Sequence, residues 1–381
     1  MTAVSSDMIP PAKPSFSSED IEQMKRYLDT ILTSGRLTLG EYTKDFERQF
    51  AEIAGVRHAV AVNSGTSALE IALRAHHLKQ GDRVILPTNT FGATCAAVIF
   101  AGGTPIITDV AQSTMMIDAE SVEKAITPGT RGVIAVHIGG LVCPEIERIR
   151  EICNQKGLFL VEDAAHAHGS RIGSKGAGSL GSAGCFSFYP TKVITTGEGG
   201  MITTNSEELA SFARIVRDQG KESFNSGVIV ELGYNWRMPE MSAALGLVQL
   251  RRLQEFIGKR NAVAKVYDSG FDAMGIERVV TPENQLNNYY KYTFFLPGNV
   301  NRDRFKTECR QRGVAYGGEV YWPPLHLQPA FRDFLDKNAR FEVADEWGSR
   351  MVNPPMFSQM THEQAEQVVN VTRHVLSDLR S

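Results

Sequence analysis

Five short apolar runs, each followed by a stretch of helical pattern, constrain the fold more than any other feature of this chain. They read HAVAVN (58–63), RVILP (83–87), TPIITDV (104–110), RGVIAVHI (131–138) and LFLVED (158–163). Between them lie TSALEIALRAHH, FGATCAAVIFAG, DAESVEKAI and CPEIERIREICNQKG. Strands that are apolar at nearly every position are covered on both faces, and helices at this spacing supply the cover. The pattern predicts βαβ units around a mostly parallel sheet, an α/β fold. Two more strands are expected at 184–189 and 200–204, joined closely enough to pair antiparallel.

Helical pattern flanks this region. In SSEDIEQMKRYLDTILTSG, Ile21, Met24, Leu28 and Ile31 share a face, Ser17 or Ser18 suits the start and Gly35 the stop. After Pro239 a long helical pattern, MSAALGLVQLRRLQEFIGKRNAVAKVYDSGF, bridges to a second region. There KYTFFLP reads as a strand, NRDRFKTECRQRG as a helix and THEQAEQVVNVTRHVLSDL as a closing helix. The division expected is a large α/β domain over residues 1–250 and a smaller C-terminal α+β domain over 251–381.

Composition excludes several classes. Of 381 residues 42% are hydrophobic and 22% charged, with a formal net charge of −3, which suits a soluble globular protein and not a nucleic-acid binder with a basic stripe. The five cysteines (95, 143, 153, 185, 309) show neither metal spacing nor a disulfide framework, so a reducing cytoplasm is expected. The start, MTAVSSDMIPPAKPSF, lacks the pattern of a signal peptide, and no apolar run is long enough to span a membrane.

In an open parallel sheet, ligands bind beyond the carboxyl ends of the strands. After the first strand, Asn63-Ser64-Gly65-Thr66-Ser67 opens a helix, whose bare N–H groups and dipole suit a phosphate; a capping box of Ser67 and Glu70 explains it equally. After the fifth comes Asp163, either a structural acid or the anion for a buried nitrogen cation. His166 and His168 follow, but a lone HxH lacks the ligands a metal needs, and no metal is expected. Gly176-Ala-Gly178-Ser-Leu-Gly181 matches GxGxxG, yet it follows a polar loop and leads into a strand, the wrong context for a dinucleotide site. In CFSFYPTKVITTGEGG a lone lysine, Lys192, stands at the exit of a buried strand beside hydroxyls and a glycine turn. Most lysines are simply solvated. A phosphate cradle, an acid, a lysine and an aromatic, Phe91, after the second strand together match pyridoxal 5′-phosphate (PLP). Its aldehyde takes a lysine, and its ring becomes an electron sink when an acid keeps the nitrogen protonated.

The motifs NSGTSAL, PTNTF, VEDAAHAHG, SFYPTK with TTGEGG, GYNWRM and VYWPPLHLQPAF resemble the DegT/DnrJ/EryC1/StrS family of PLP-dependent sugar aminotransferases. The resemblance runs along nearly the whole chain. It implies the aspartate-aminotransferase architecture (fold type I) and a homodimer with active sites at the subunit interface. It implies Lys192 as the Schiff-base lysine, Asp163 as the partner of the ring nitrogen and His166 beside the phenolic oxygen. Gly65 and Thr66 match the phosphate turn, Ser187 adds a hydroxyl, Phe91 stacks on the ring and Asn235 reaches the phosphate from the neighbouring subunit. Relatives with histidine in place of the lysine act as dehydratases; Lys192 is present here.

The implied reaction is a ping-pong transfer of an amino group from an amino acid, L-glutamate, to a keto-sugar, usually nucleotide-linked. Arg237 suits the donor's carboxylate or, equally, a brace at the subunit interface. Tyr316, Tyr321, Trp322 and His326 fall where relatives line the sugar and nucleotide pocket, although core packing also uses aromatics. His166 in place of glutamine leans towards a 4-keto-6-deoxy hexose nucleotide; a 3-keto sugar, a keto-octulosonate and an inosose are the alternatives. A non-catalytic PLP-binding regulator on the same scaffold is the contrasting class. No helix-turn-helix or basic extension supports it, and the intact lysine speaks against it.

Overall fold

The computed structural model describes residues 8–336 and 338–380. The five expected strands are present as β1 (His58–Val62), β2 (Arg83–Pro87), β3 (Thr104–Thr108), β4 (Thr130–Val136) and β5 (Phe159–Asp163). A small hairpin, β6 (Arg171–Ile172) and β7 (Lys175–Gly176), precedes β8 (Ala183–Ser187) and β9 (Gly200–Thr204). Seven of these form one sheet in the order β1-β9-β8-β5-β4-β2-β3. From β8 to β3 every pairing is parallel. Strand β9 runs antiparallel to both β8 and β1, so β1 keeps the direction of the parallel set without bonding to it. Consecutive residues Val84 to Leu86 and Val133 to Ala135 are fully buried, which with period-2 side chains means cover on both faces.

The cover comes from helices. Helix α1 (Ser18–Ser34) begins with a capping box of Ser17 and Asp20 and ends at Gly35. Then come α2 (Glu41–Ala54), α3 (Gly65–Arg74), α4 (Gly92–Phe100), α5 (Ala119–Ala125), α6 (Ile146–Lys156) and α7 (Glu207–Arg217). Helix α3 packs on β8 and β9, and α2 on β1. The expected apolar face of α1 is covered only in part: Ile31 is buried, but Ile21 and Leu28 are exposed, because little of this chain lies against them.

The long helix expected after Pro239 is two, α8 (Glu240–Arg251) and α9 (Leu253–Asp272). They break at Arg252, where the backbone leaves helical geometry and the guanidinium is held by Asp20 and Glu255. Helix α9 spans two cores. Its first turns (Leu253, Phe256, Ile257) pack with the sheet. Its later ones (Val263, Tyr267, Phe271) pack in a second cluster. That cluster also draws on α10 (Arg302–Gln311), α12 (His362–Arg380) and, from the other end of the chain, Ile9. Of KYTFFLP only Phe294–Phe295 pairs as a strand, with Met351–Val352 just after α11 (Glu342–Arg350). Among the described residues no helix is long and apolar enough to cross a membrane.

Candidate active site

The carboxyl ends of β1, β2, β4, β5 and β8 converge on one cavity of about 450 Å³. At the β1 end, Ser64 caps α3 by accepting the N–H of Ser67. This replaces the expected Ser67–Glu70 box; Glu70 is instead buried along the helix. Ser64 also accepts the N–H of Ala68 through its carbonyl, which leaves Gly65 and Thr66 as first-turn donors at the cavity wall. Ser187 closes against them so tightly that a Cβ on Gly65 would lie 2.8 Å from the Ser187 Cβ. Only glycine lets the helix start and the strand end share this corner.

At the β5 end Asp163 is buried. Its Oδ2 accepts from the Thr94 hydroxyl at 2.7 Å and its Oδ1 from the Ala165 N–H at 3.2 Å. Burial raises its pKa, while the Thr94 and Ala165 bonds and the nearby Lys192 pull the other way. Among the described residues no cation forms an ion pair with it. An anion held by neutral donors alone, open to a cavity, is suited to a cationic ring nitrogen.

Lys192 stands in the loop after β8. The Thr195 hydroxyl and the Thr196 N–H both bond the Phe188 carbonyl, and Gly197 (φ +78°) turns the chain back. This fixes the loop on the strand end and directs Lys192 into the cavity. The amine lies 4.8 Å from the centre of the Tyr290 ring, whose hydroxyl bonds Thr191. Burial lowers the Lys192 pKa to about 8, opposed by Asp163 and reinforced by Lys291.

His166 packs its ring 4.4 Å from Tyr290, accepts the Gly139 N–H at Nδ1 and meets the Tyr321 hydroxyl at Nε2, 2.7 Å away. Burial holds its pKa well below the ordinary histidine value. Phe91, the N-cap residue of α4, stands exposed at the cavity rim, 5.7 Å from the Tyr321 ring. Thus Gly65, Thr66, Phe91, Asp163, His166, Ser187, Lys192 and Tyr321 line one space.

Other sequence candidates lie elsewhere. Tyr316 is not a pocket residue: it is buried between Phe294 and Phe305, with its hydroxyl on Thr372. His326 is likewise not on the cavity, being pinned between Thr88 and Asp345 and stacked on Phe341. Trp322 packs under Arg302. Asn235 and Arg237 line a separate, open hollow that meets the cavity at Glu198, and Arg237 is tied to Asp218. His168 turns away from His166 into Phe50, Phe186 and Phe188, so the two cannot converge on one ion. Sequence reading missed Thr94 and Tyr290. Thr94 was findable as a hydroxyl in the first turn of the helix that follows the second strand's exit; NNYYKY carries no such signal.

The sequence model of the DegT/DnrJ/EryC1/StrS aminotransferase family matches residues 18–373. The chain belongs to that family. GDP-perosamine synthase of Caulobacter vibrioides is 32% identical over 368 residues, covering 96% of this chain and 97% of that one. The dTDP-3-amino-3,4,6-trideoxy-alpha-D-glucose transaminase of Micromonospora megalomicea is 31% identical, covering 92% and 93%. The PLP form of Spr1654 from Streptococcus pneumoniae superposes with a TM-score of 0.91 at 27% identity, covering 98% and 99%. Family and fold make the chain a PLP-dependent aminotransferase of fold type I, as the resemblance implied. The cavity fits the cofactor: first-turn amides lie at one end, a buried carboxylate without an ion pair among the described residues at another, and a lysine over the Tyr290 ring.

Proposed function

We propose that this family member transfers an amino group from L-glutamate to a nucleotide-linked 4-keto-6-deoxy hexose. The observation that carries the reading is the meeting of Lys192 and Asp163 in one cavity, each shifted towards its neutral form by burial. Gly65, Thr66 and Ser187 would hold the phosphate, and Asp163 would pair with the ring nitrogen. Phe91 and Tyr290, both on the cavity wall, would bound the flat ring. Bound PLP supplies an electron sink beside the substrate's α-carbon. Lys192 would be the residue that holds the cofactor's aldehyde, and its amine would move a proton from and to the substrate's α-carbon as general base and general acid. A pKa near 8 leaves a useful neutral fraction at working pH.

The 4-keto assignment is supported by His166, and a nucleotide-linked acceptor by the GDP-perosamine synthase relative. The dTDP-3-amino sugar relative favours a 3-keto acceptor as the second reading. A homodimer with shared sites and a cytoplasmic location complete the proposal, the latter supported by five buried free thiols. Two measurements test it. Borohydride reduction and peptide mapping should place the cofactor on Lys192, and a label on another lysine rejects the site. A panel of 4-keto and 3-keto nucleotide sugars with L-glutamate should yield a 4-amino sugar; amination of 3-keto members alone rejects the acceptor.

A further inference from the structure

We infer that Tyr321, and not His166, donates the hydrogen bond to the phenolic oxygen of the cofactor, and that His166 acts only by orienting Tyr321. This rests on the cofactor reading above. A main-chain N–H can only donate, so the Gly139 N–H at 3.3 Å makes His166 Nδ1 a lone-pair acceptor. A neutral imidazole then carries its one proton on Nε2, and burial keeps this ring neutral. That proton goes to the Tyr321 oxygen 2.7 Å away. Both ring nitrogens are spent on the protein. The tyrosine oxygen is an acceptor in this bond, so its own hydrogen is left to donate, and Tyr321 lines the cavity.

The tyrosine is held ready for this. Its N–H bonds Asn89 Oδ1 at 2.6 Å, and Asn89 is fixed in turn by the Met115 carbonyl. The position also selects the acceptor. In PLP the phenolic oxygen neighbours the carbon that takes the lysine, on the side away from the phosphate arm. His166 and Lys192 share Tyr290 as a neighbour, and Tyr321 packs beside His166 with ring centres 5.6 Å apart, which groups these residues near the lysine; Gly65 meets Ser187 instead.

A donor to the phenolate stabilises the form in which the lysine link has lost its proton. Removing the donor therefore raises the pH at which the bound cofactor's visible absorbance changes. In purified holoenzyme, Tyr321→Phe should raise that pH by about one unit or more, as one hydrogen bond to a charged group supports. Adding His166→Ala to Tyr321→Phe should move it no further. Should Tyr321→Phe fold poorly, 3-fluorotyrosine at position 321, a stronger donor of the same shape, should lower the transition pH instead. A transition unmoved by both changes at position 321, or moved equally by His166→Ala with and without the tyrosine hydroxyl, overturns the assignment and leaves the cofactor site standing. A wild-type protein with no such band overturns the cofactor reading and this one with it.

Discussion

Lys192 and Asp163 are both displaced towards neutrality, and for one reason: the cavity floor desolvates each more than the other compensates. For Lys192 the sign can be tested without turnover. Its folded pKa, about 8, lies below the unfolded lysine value near 10.4, so between these values the unfolded chain binds more protons and stability rises with pH. Apo Lys192→Met should therefore be more stable than the apo wild type below pH 8. The gap, on the order of 3 kcal/mol, should close as pH approaches 10.4. Denaturant titrations across that range measure it, and a gap constant with pH would show that the amine is not desolvated. Asp163→Asn should keep cofactor binding and lose roughly 10²–10³-fold in kcat, the range for removal of one pre-organised electrostatic contact. Near-normal kcat would remove Asp163 from the chemistry. Asp163 stood out as an acid at the carboxyl end of a buried strand, and Lys192 as a lone lysine in the loop after another, beside hydroxyls and a glycine turn. Tyr316 and His326, for which core packing was the open alternative, lie off the cavity, because sequence gives an aromatic's neighbourhood and not its direction: Tyr316 satisfies its hydroxyl on Thr372 inside the second core.

At the scale of elements, the parallel strands were legible because burial on both faces writes an unbroken apolar run. The antiparallel seat of β9 between β1 and β8 was only half legible, since the short link to β8 suggests a hairpin but nothing local names β1 as its other partner. The glycine-rich stretch 176–181 is a further case. Its backbone does cradle an anion, and the anion is the chain's own. The N–H groups of Gly178, Leu180 and Gly181 bond the buried carboxylate of Glu162, at 2.8, 2.6 and 2.7 Å, and His137 joins them. Glu162 immediately precedes Asp163, so this loop anchors the end of β5 on which the acid stands. Glu162→Ala would strand the buried N–H groups of Gly178 and Leu180 and the buried His137 ring, besides the half-buried Gly181 N–H, and should cost about 3 kcal/mol or more of stability, with reduced cofactor occupancy at a fixed temperature. A loss within 0.5 kcal/mol by chemical denaturation would mean that the loop holds itself.

For the whole molecule, the surface left uncovered by one chain is the informative part. Ile21, Leu28 and Leu32 stand out along α1, and Val228, Ile229, Val230, Leu232 and Tyr234 crowd the approach to Asn235. A single chain gains nothing by exposing these side chains, and together they suit a partner of the same kind. Asn235 is itself exposed and outside the cavity that holds Lys192, so it serves that site only if it serves another chain's. The expected assembly is a homodimer with two composite sites. Asn235→Ala alone should lose roughly tenfold or more in activity, since a hydrogen bond to a charged phosphate is worth about 1.5–3 kcal/mol. Lys192→Ala should have no turnover. When the two variants are mixed under conditions that exchange subunits, one of the two sites in each mixed dimer receives both intact residues. Activity should then rise above that of either parent. If each chain completes its own site, every chain remains defective and mixing restores nothing. Exchange demonstrated by mass, an impaired Asn235→Ala parent and no gain on mixing would together reject the shared site, because no arrangement of composite sites leaves every site in a mixed dimer broken.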